Sequence, residues 1–266
     1  MPPRRRLAEP QVSPAEYDED YYRTACAGHA EWDQSGGAAA AAIYPSVLAR
    51  SGLQKGMTVL DVGAGRGELV AIAAEQGARW AVGVEYAPAA AALSRETIAA
   101  RGVTDRARVV LADARELPLP DGCVDRAYLL DVIEHLAPAE LDATLAEVHR
   151  VLRPGGRLHA HTFPTRTIYD VTYRMLRATS RGRRQSWPAD PRNDYEHRMH
   201  VNEQTRRGLR QALRRSGFRR PTVRYGQWVY VDHLPSERVQ ALVRRLAGHR
   251  VAAPLAVADL WVEATR

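Results

Sequence analysis

The stretch VLDVGAGRGELV, from Val59 to Val70, constrains the fold of this chain more than any other. An apolar run ends in an acidic residue, a glycine-rich turn follows, and a helical segment begins. A strand that turns directly into a helix opens a βαβ unit, and the backbone N–H groups of such a turn can hold a ligand. The stretch therefore predicts an α/β protein that binds a nucleotide-like molecule at this turn.

Short apolar runs and helical segments alternate along the following hundred residues. Strands are predicted at 58–62, 80–85, 108–112, 125–130 and 157–162, and helices at 67–77, 87–101 and 138–152. This alternation is typical of a parallel sheet with helices on both faces. Two further strands, within 221–231 and 256–264, give a seven-stranded, mostly parallel, Rossmann-like sheet.

The chain divides into four segments. Residues 1–44 form a tail and cap, and residues 1 to about 13 are expected to be disordered because they combine proline and arginine without periodicity. Residues 45–162 form the cofactor-binding core. Residues 163–200 are too long for an ordinary connection, so we predict a lid over the substrate. Residues 201–266 complete the sheet.

Composition narrows the class of protein. The formal charge is +7, but the arginines are spread along the chain, which favours solvated helix faces over a nucleic-acid surface. Cys26 and Cys123 provide neither a disulfide framework nor a zinc motif. No run is apolar enough to span a membrane, and the basic start lacks the apolar segment of a signal peptide. We expect a cytoplasmic protein.

The spacing of the glycines distinguishes between two kinds of nucleotide. A dinucleotide turn needs glycines at its first, third and sixth positions. Gly63 and Gly65 fit the first two, but the sixth position is Glu68, and the third glycine is Gly67. A glutamate at that position obstructs close packing and repels phosphates. The pattern therefore favours a ligand without phosphate groups.

Acidic residues follow the next two strands. Glu85 ends the second strand in VGVEYA, where it can accept hydrogen bonds from both hydroxyls of a ribose. Asp113 follows the third strand in LADARELPLPDGCVD, where it can accept a hydrogen bond from an adenine amino group. Together with the glycine turn, they predict an adenosine-containing cofactor.

Four ordered stretches carry a resemblance to a known family. VLDVGAGRGELV, VGVEYA, LADARELPLPDGCVDRAYLLDVIEHL and EVHRVLRPGGRLH lie in this order between residues 58 and 161. The chain resembles the class I S-adenosylmethionine-dependent methyltransferases of the broad small-molecule type. The resemblance implies a Rossmann-like methyltransferase fold with S-adenosylmethionine as the cofactor.

The resemblance also assigns roles to individual residues. The implied cofactor-binding residues are Tyr21, Asp61, Gly63, Gly65, Gly67, Glu85, Tyr86, Asp113, Ala114 and Leu130. Asp61 and the glycines would lie under the methionine part, Glu85 would hold the ribose diol, and Asp113 and Ala114 would flank the adenine. An N-terminal tyrosine, at position 17, 21 or 22, would close over the cofactor. Simple helix packing is the alternative for these tyrosines.

The segment after the fourth strand carries the candidate catalytic residues. The amine-directed Asn/Asp-Pro-Pro-Tyr/Phe pattern is absent, and LLDVIEHL stands in its place. Asp131, Glu134 and His135 have i, i+3, i+4 spacing, which would place them on one helix face near the methyl group. His135 is therefore the first candidate for a general base. His161, which shares a strand face with His159, is the second candidate, with a role as a core histidine as the alternative.

The same segment is similar to a metal-binding stretch of some O-methyltransferases. In small-RNA 2′-O-methyltransferases and ubiquinone-pathway O-methyltransferases, Glu-x-x-Glu-His and a later histidine hold a divalent metal. Carried over, this set is Asp131, Glu134, His135 and His200, with His197 as the alternative to His200. Such a set suits Mn²⁺, Fe²⁺ or Zn²⁺ better than Mg²⁺. The same stretch also occurs in methyltransferases that bind no metal.

These observations predict O-methylation of a small molecule. The lid residues combine aromatic and polar side chains, which suit a natural product, a glycan precursor or a glycolipid. An RNA 2′-O-methyltransferase is the first alternative, although no RNA-binding module is visible. A nucleotide-binding oxidoreductase and a non-catalytic S-adenosylmethionine-binding protein are alternatives from other classes.

Overall fold

A computed structural model describes residues 7–26, 28–179, 188–226, 237–249 and 252–266. The strands are β1 (Thr58–Val62), β2 (Trp80–Glu85), β3 (Ala107–Leu111), β4 (Val124–Leu130), β5 (Leu152–Thr162), β6 (Arg219–Tyr225) and β7 (Leu260–Thr265). They form one seven-stranded sheet in the order β3-β2-β1-β4-β5-β7-β6. Strands β1 to β5 pair in parallel, and β7 runs antiparallel between β5 and β6. The predicted sheet is confirmed.

Helices cover both faces of this sheet. They are α1 (Glu19–Thr24), α2 (His29–Ser35), α3 (Ile43–Arg50), α4 (Glu68–Glu75), α5 (Pro88–Ala100), α6 (Pro138–Val151), α7 (Arg174–Thr179), α8 (Asp194–Met199), α9 (Arg206–Arg215), α10 (Glu237–Ala247) and α11 (Ala253–Ala256). Residues Ile168–Tyr173 form a π-helical turn before α7. Within the described ranges, no helix is long and apolar enough to cross a membrane.

The alternation of side chains along each strand divides the core into two layers. In β1, Val59 packs with residues of α3, α4 and α5, whereas Leu60 and Val62 pack with residues of α6 and α9. Successive side chains of a strand point to opposite faces, so a central strand buried on both faces is apolar along its length. The two layers fix the sheet, and the carboxyl ends of β1, β2, β4 and β5 meet at one edge.

The observed bounds of the strands match the predicted bounds where the turn signals in the sequence are local. Strands β1 and β2 have the predicted bounds. Strand β5 begins at Leu152, five residues earlier than predicted, because Val124 pairs with Leu152 and Arg126 with Arg157. The Pro-Gly-Gly segment between those two pairs therefore bulges from the strand, and it still ends α6 at Val151.

The prediction of disorder is wrong for residues 7–13 of the N-terminal segment. Val12 is buried, and the Gln11 N–H donates to a carboxylate oxygen of Glu140 across 2.9 Å. Ala8 accepts a hydrogen bond from Arg115 through its carbonyl oxygen. The local composition contains no signal of these contacts, because their partners lie more than a hundred residues away. Residues 1–6 lie outside the described ranges.

The predicted lid contains the π-helical turn, α7 and α8. The Tyr169 hydroxyl donates to Glu196 across 2.7 Å and so ties the turn to α8. Tyr173 donates to the carbonyl of Pro188 in the same segment. Lid residues that the sequence analysis included, residues 180–187, fall outside the described ranges, as does the predicted continuation of β6 beyond Gly226.

Candidate active site

A cavity of about 840 Å³ lies at the carboxyl edge of the sheet. Its walls come from the ends of β1, β2, β4 and β5, from the cap and from β7. The predicted site residues that line it are Tyr21, Asp61, Gly63, Gly65, Glu85, Tyr86, Asp113, Ala114, Leu130, Asp131, Glu134, His135, His161 and His200. Of the predicted set, Gly67 does not line this cavity. The structure therefore brings the sequence-predicted residues together in one place.

The glycine turn is shaped by two close approaches. Gly63 has φ 72°, and a Cβ there would lie 2.4 Å from Val132. Gly67 has φ 80°, and a Cβ there would lie 2.9 Å from the Ser94 hydroxyl on α5. That hydroxyl donates to the Gly65 carbonyl across 2.7 Å. Gly67 therefore allows the turn to pack on α5, while Gly63 and Gly65 face the cavity.

Glu85 is fixed at the tip of β2 by three backbone amides. Its carboxylate accepts hydrogen bonds from the N–H groups of Gly65, Tyr86 and Ala87 at 2.8–2.9 Å. Burial raises the pKa of Glu85, and these three bonds oppose that shift. The carboxylate thus links the glycine turn to the second strand, and its position in the cavity wall suits the predicted ribose contact.

Asp61 adds a second buried acid to this end of the cavity. Burial, together with the charges of Glu85 and Glu68, raises the pKa of Asp61 well above its usual range. Closely spaced carboxyl groups disfavour further negative charge and favour a cation. A ligand with a cationic amino group and a sulfonium suits this end of the cavity, and a pyrophosphate does not.

The third strand leads to a carboxylate that is held by a neighbouring arginine. Both Asp113 carboxylate oxygens accept hydrogen bonds from Arg115, with distances of 2.6–3.0 Å. Arg115 also lies 3.3 Å from a carboxylate oxygen of Glu140. This network fixes Asp113 and Ala114 in the cavity wall. The contact between Asp113 and an adenine amino group stays a prediction.

Four tyrosines of residues 1–44 line the cavity, at positions 17, 21, 22 and 44, and Tyr17 connects two sides of it. The ring of Tyr17 lies 5.5 Å from Tyr86 and 5.6 Å from His135, between centroids, and both contacts are edge-to-face. Tyr21 contacts both Tyr17 and Tyr22. Tyr17 therefore connects the predicted cofactor side of the cavity with the predicted catalytic side, a position that i, i+4 spacing alone cannot reveal.

A buried arginine, which the sequence analysis did not identify, attaches the cap to the glycine turn. Arg66 Nη1 donates to the Tyr22 carbonyl across 2.7 Å, and Nη2 donates to Glu68 across 3.0 Å. Both charged side chains are at most 2% exposed. The indole of Trp32 on α2 donates to the Thr97 hydroxyl on α5 and anchors the same cap. These hydrogen bonds thus hold the cap against the glycine turn.

The prediction of a helix that begins at Asp131, at the end of β4, is wrong. Asp131 has φ +55°, and only Ile133–His135 form a short 3₁₀ turn, so α6 begins later, at Pro138. The left-handed conformation interrupts helical geometry between Asp131 and the 3₁₀ turn, and the Val132 side chain lies against Gly63. The three residues therefore do not share a helix face.

Asp131 instead pairs with His161. His161 Nδ1 lies 2.6 Å from Asp131 Oδ1, and Nε2 lies 3.4 Å from Asp259 Oδ2. Burial alone would lower the pKa of His161, but the Asp131 charge and the hydrogen bonds to both carboxylates raise it to about 10. Trp261 donates to the same Asp259 oxygen across 2.8 Å. Asp259 and Trp261 are not among the residues predicted from the sequence; Trp261 lies on β7, and Asp259 immediately precedes that strand.

Glu134, His135 and His200 form a separate cluster. One potential ligand atom from each lies within 4.8 Å of the others. The Nδ1 atoms of both histidines are buried and have no hydrogen-bond partner. Burial and His200 lower the pKa of His135 to about 3, whereas burial and Asp131 raise that of Glu134 to about 8. Two neutral imidazoles and one carboxyl group fit a divalent transition metal.

The structure thus separates the predicted metal set. Asp131 is not in the cluster, because its carboxylate is held by His161. His197, the alternative to His200, is an exposed residue of α8 and also lies outside the cluster. His159 shares the strand face of His161 but stacks on Tyr128, away from the cavity.

Comparisons with known proteins agree with this geometry. Residues 59–156 match the family described as "Methyltransferase domain". A sterol 4-C-methyltransferase of Caenorhabditis elegans is 32% identical over 118 residues, which are 44% of this chain and 34% of that protein. A malonyl-[acyl-carrier protein] O-methyltransferase of Geobacter sulfurreducens is 34% identical over 162 residues, 60% of this chain and 55% of that protein.

A solved structure shares the fold. A geranyl diphosphate methyltransferase in complex with GPP and sinefungin superimposes with a TM-score of 0.60 and 20% identity, covering 85% of this chain and 78% of that one. The chain spans between a third and just over half of the length of the two sequence relatives above. The strand order, the glycine turn and the family match agree with one another and do not support the oxidoreductase alternative. The chain thus contains a stretch, residues 59–156, that matches the methyltransferase-domain family, within a fold that it shares with a solved methyltransferase.

Proposed function

We propose that this protein transfers the methyl group of S-adenosylmethionine to a hydroxyl of a small molecule. A natural product, a glycan precursor or a glycolipid is the expected acceptor. The observation that carries the proposal is the state of His135, whose Nδ1 is buried in the site without a hydrogen-bond partner. Burial and the charge of His200 lower the pKa of His135 to about 3, so the imidazole is neutral at physiological pH, and its uptake of a proton depends on the charge of Asp131, which raises this pKa.

The reaction is an in-line displacement at the sulfonium methyl. The acceptor oxygen forms a bond to the methyl carbon, the carbon–sulfur bond breaks, and its electron pair returns to sulfur as S-adenosylhomocysteine forms. The hydroxyl proton passes to His135. Holding the oxygen and the methyl group in line supplies most of the catalysis, because the sulfonium is already activated.

Two neighbouring groups support the proton transfer. The charge of Asp131 favours the protonated form of His135, which offsets part of the cost of forming a buried imidazolium. His161, with carboxylates at both ring nitrogens, is suited to holding Asp131 ionised and in place. We therefore assign His161 to positioning rather than to proton transfer.

A divalent metal is the alternative way to activate the hydroxyl. Glu134, His135 and His200 would hold it, and the two unpartnered Nδ1 atoms support this assignment. When bound, such a metal would lower the pKa of an acceptor hydroxyl and would hold its oxygen near the methyl group. Both alternatives use His135, but only the metal alternative uses His200. A substitution of His200 therefore distinguishes them.

The atom that receives the methyl group is part of the proposal. One relative described above is named as a sterol C-methyltransferase and the other as an O-methyltransferase. A neutral imidazole beside a carboxyl group serves a hydroxyl acceptor directly, because that acceptor loses its proton during transfer. This chemistry supports O-methylation.

The proposal is tested with labelled S-adenosylmethionine and an extract of a host strain that lacks this gene. We expect label in the small-molecule or lipid fraction, with loss of labelling in the His135→Ala protein. Label in RNA would support the RNA 2′-O-methyltransferase, which the basic charge and the metal-type cluster favour. No label in any fraction, with S-adenosylhomocysteine still bound, would indicate the non-catalytic binding protein.

A further inference from the structure

A tryptophan that lines the cavity has two arginines beside it. The Arg50 guanidinium lies 5.2 Å from the centre of the Trp261 ring, and both residues line the cavity. Arg224 on β6 pairs directly with Trp261 on β7, so their side chains share one face of the sheet. We call Arg50, Arg224 and Trp261 the rim cluster.

Neither arginine of the rim cluster has a carboxylate partner among the described residues. Arg50 donates only to Ser46, from Nε to its carbonyl and from Nη2 to its hydroxyl, and Arg224 takes part in no ion pair. Other arginines that line the cavity are neutralised, since Arg66 pairs with Glu68 and Arg115 with Asp113. Arg50 therefore brings a positive charge without a carboxylate partner to the cavity wall, and Arg224, which is not among the cavity-lining residues, adds a second one beside Trp261.

Two acids lie near Trp261 in the sequence, Asp259 immediately before β7 and Glu263 on it. Asp259 is buried, accepts the indole N–H and faces His161, so its charge is already engaged. Glu263 is exposed, lies two pairs further from the cavity edge and forms no ion pair among the described residues. The two guanidinium groups thus remain available beside Trp261, and their planar forks match an oxyanion.

Resting on the proposed function, we infer that the acceptor carries an oxyanion, a phosphate or a carboxylate, which the rim cluster binds. The group to be methylated then lies inside, toward His135, while the anionic end stays at the rim cluster. Arg50 is exposed as well as cavity-lining, so it can meet an entering ligand. This arrangement would select anionic acceptors over neutral ones of the same size.

The test uses the full chain labelled with 5-fluorotryptophan and saturated with S-adenosylhomocysteine. The chain contains five tryptophans, and loss of one ¹⁹F resonance in Trp261→Phe assigns that of Trp261. Pyrophosphate and succinate are titrated separately, with sodium chloride at matched ionic strength as the reference. We expect the Trp261 resonance to shift and to saturate with at least one of the two anions. A shift with pyrophosphate alone assigns the site to phosphates, and a shift with succinate assigns it to carboxylates.

The variants make the assignment specific. Arg50→Gln and Arg224→Gln should each weaken anion binding about tenfold or more, as expected for loss of one charge-assisted contact. Arg157→Gln is the matched control, because Arg157 is exposed on the same face of β5, four residues before His161. No shift beyond that in sodium chloride, or equal weakening in Arg157→Gln, would overturn the inference. Calorimetry of S-adenosylhomocysteine binding reports separately on the proposed function.

Discussion

Arg66 and Glu68 form an ion pair of 3.0 Å between Nη2 and Oε1 in which neither side chain is more than 2% exposed. Arg66→Met would leave a buried carboxylate without its counter-charge. We expect this to lower the free energy of unfolding by roughly 3–5 kcal/mol, measured by urea denaturation. Arg66→Met combined with Glu68→Leu should recover part of that loss, because the unpaired charge is then gone.

A surface pair provides the control for this experiment. Arg106 and Asp105 lie 2.8 Å apart, but their side chains are 45% and 63% exposed. Arg106→Met should therefore leave the free energy of unfolding close to that of the parent protein. If the double variant at positions 66 and 68 were as unstable as Arg66→Met, charge burial would not be the cause.

Glu85→Gln should weaken cofactor binding. The amide NH₂ would face backbone N–H groups that now donate to a carboxylate, so at least one of the three hydrogen bonds is lost. We expect about a tenfold or greater loss of S-adenosylhomocysteine affinity by calorimetry, since hydrogen bonds to charged groups contribute roughly 1.5–3 kcal/mol each. Glu96→Gln, at an exposed site on α5, should leave the affinity unchanged. Equal affinity in both variants would remove Glu85 from the site.

His135→Gln should slow the chemical step while preserving cofactor binding. Loss of a general base typically lowers kcat by about 10²–10⁴-fold. The rate is measured with the acceptor fraction identified by labelling, and S-adenosylhomocysteine affinity is measured in parallel. His135 contacts the predicted cofactor side only through the Tyr17 ring, so affinity should remain close to that of the parent protein. A rate near that of the parent would argue against His135 as the base.

Metal binding can be measured without turnover. If Glu134, His135 and His200 hold a metal, protein treated with EDTA should bind one equivalent of Mn²⁺ or Zn²⁺ by calorimetry. His200→Ala should weaken that binding by more than the roughly 10–100-fold typical of losing an outer-shell partner. His197→Ala, at an exposed position on the same segment, is the control. Turnover and metal content that are indifferent to EDTA and to His200→Ala would eliminate the metal site.

His159 should make the protein sensitive to acid. Burial, with the nearby charges of Arg126 and Arg157, lowers its pKa to about 4. The unfolded chain binds a proton near pH 6.5 and the folded chain does not, so stability is present above 6.5 and is lost as pH falls toward 4. His159→Phe, which keeps the stack on Tyr128, should reduce this loss by as much as about 3 kcal/mol between pH 7 and pH 4. Parallel stability–pH curves for the two proteins would contradict the assignment.

The fold and the cofactor side of the site follow from local signals in the sequence. The glycine turn, Glu85 and the bounds of β1 and β2 are encoded within short stretches, because strands, turns and caps depend on adjacent residues. The catalytic side depends on distant ones. Asp131 pairs with His161, thirty positions away, and Asp259, which lies just before β7, reaches the same ring from ninety-eight positions further on.

Conformation explains the remaining differences. Helical spacing predicts one face for Asp131 and His135, but a left-handed φ at Asp131 breaks that relationship, and a non-glycine residue gives no local indication of it. Likewise, the structural role of Arg66 depends on its hydrogen bond to the Tyr22 carbonyl, forty-four residues away. The sequence alone shows Glu68 only as an obstacle to phosphates, whereas the fold makes it the partner of a buried arginine.

The cavity takes its walls from positions as far apart as Val12 and Trp261. A partly folded chain cannot assemble such walls, so a ligand of this cavity recognises the native state and no other. Its binding energy is then added to the stability of the whole fold, about 2.7 kcal/mol when the free ligand is a hundred times its Kd. The melting temperature of this protein should therefore rise with the concentration of a ligand that fills this cavity.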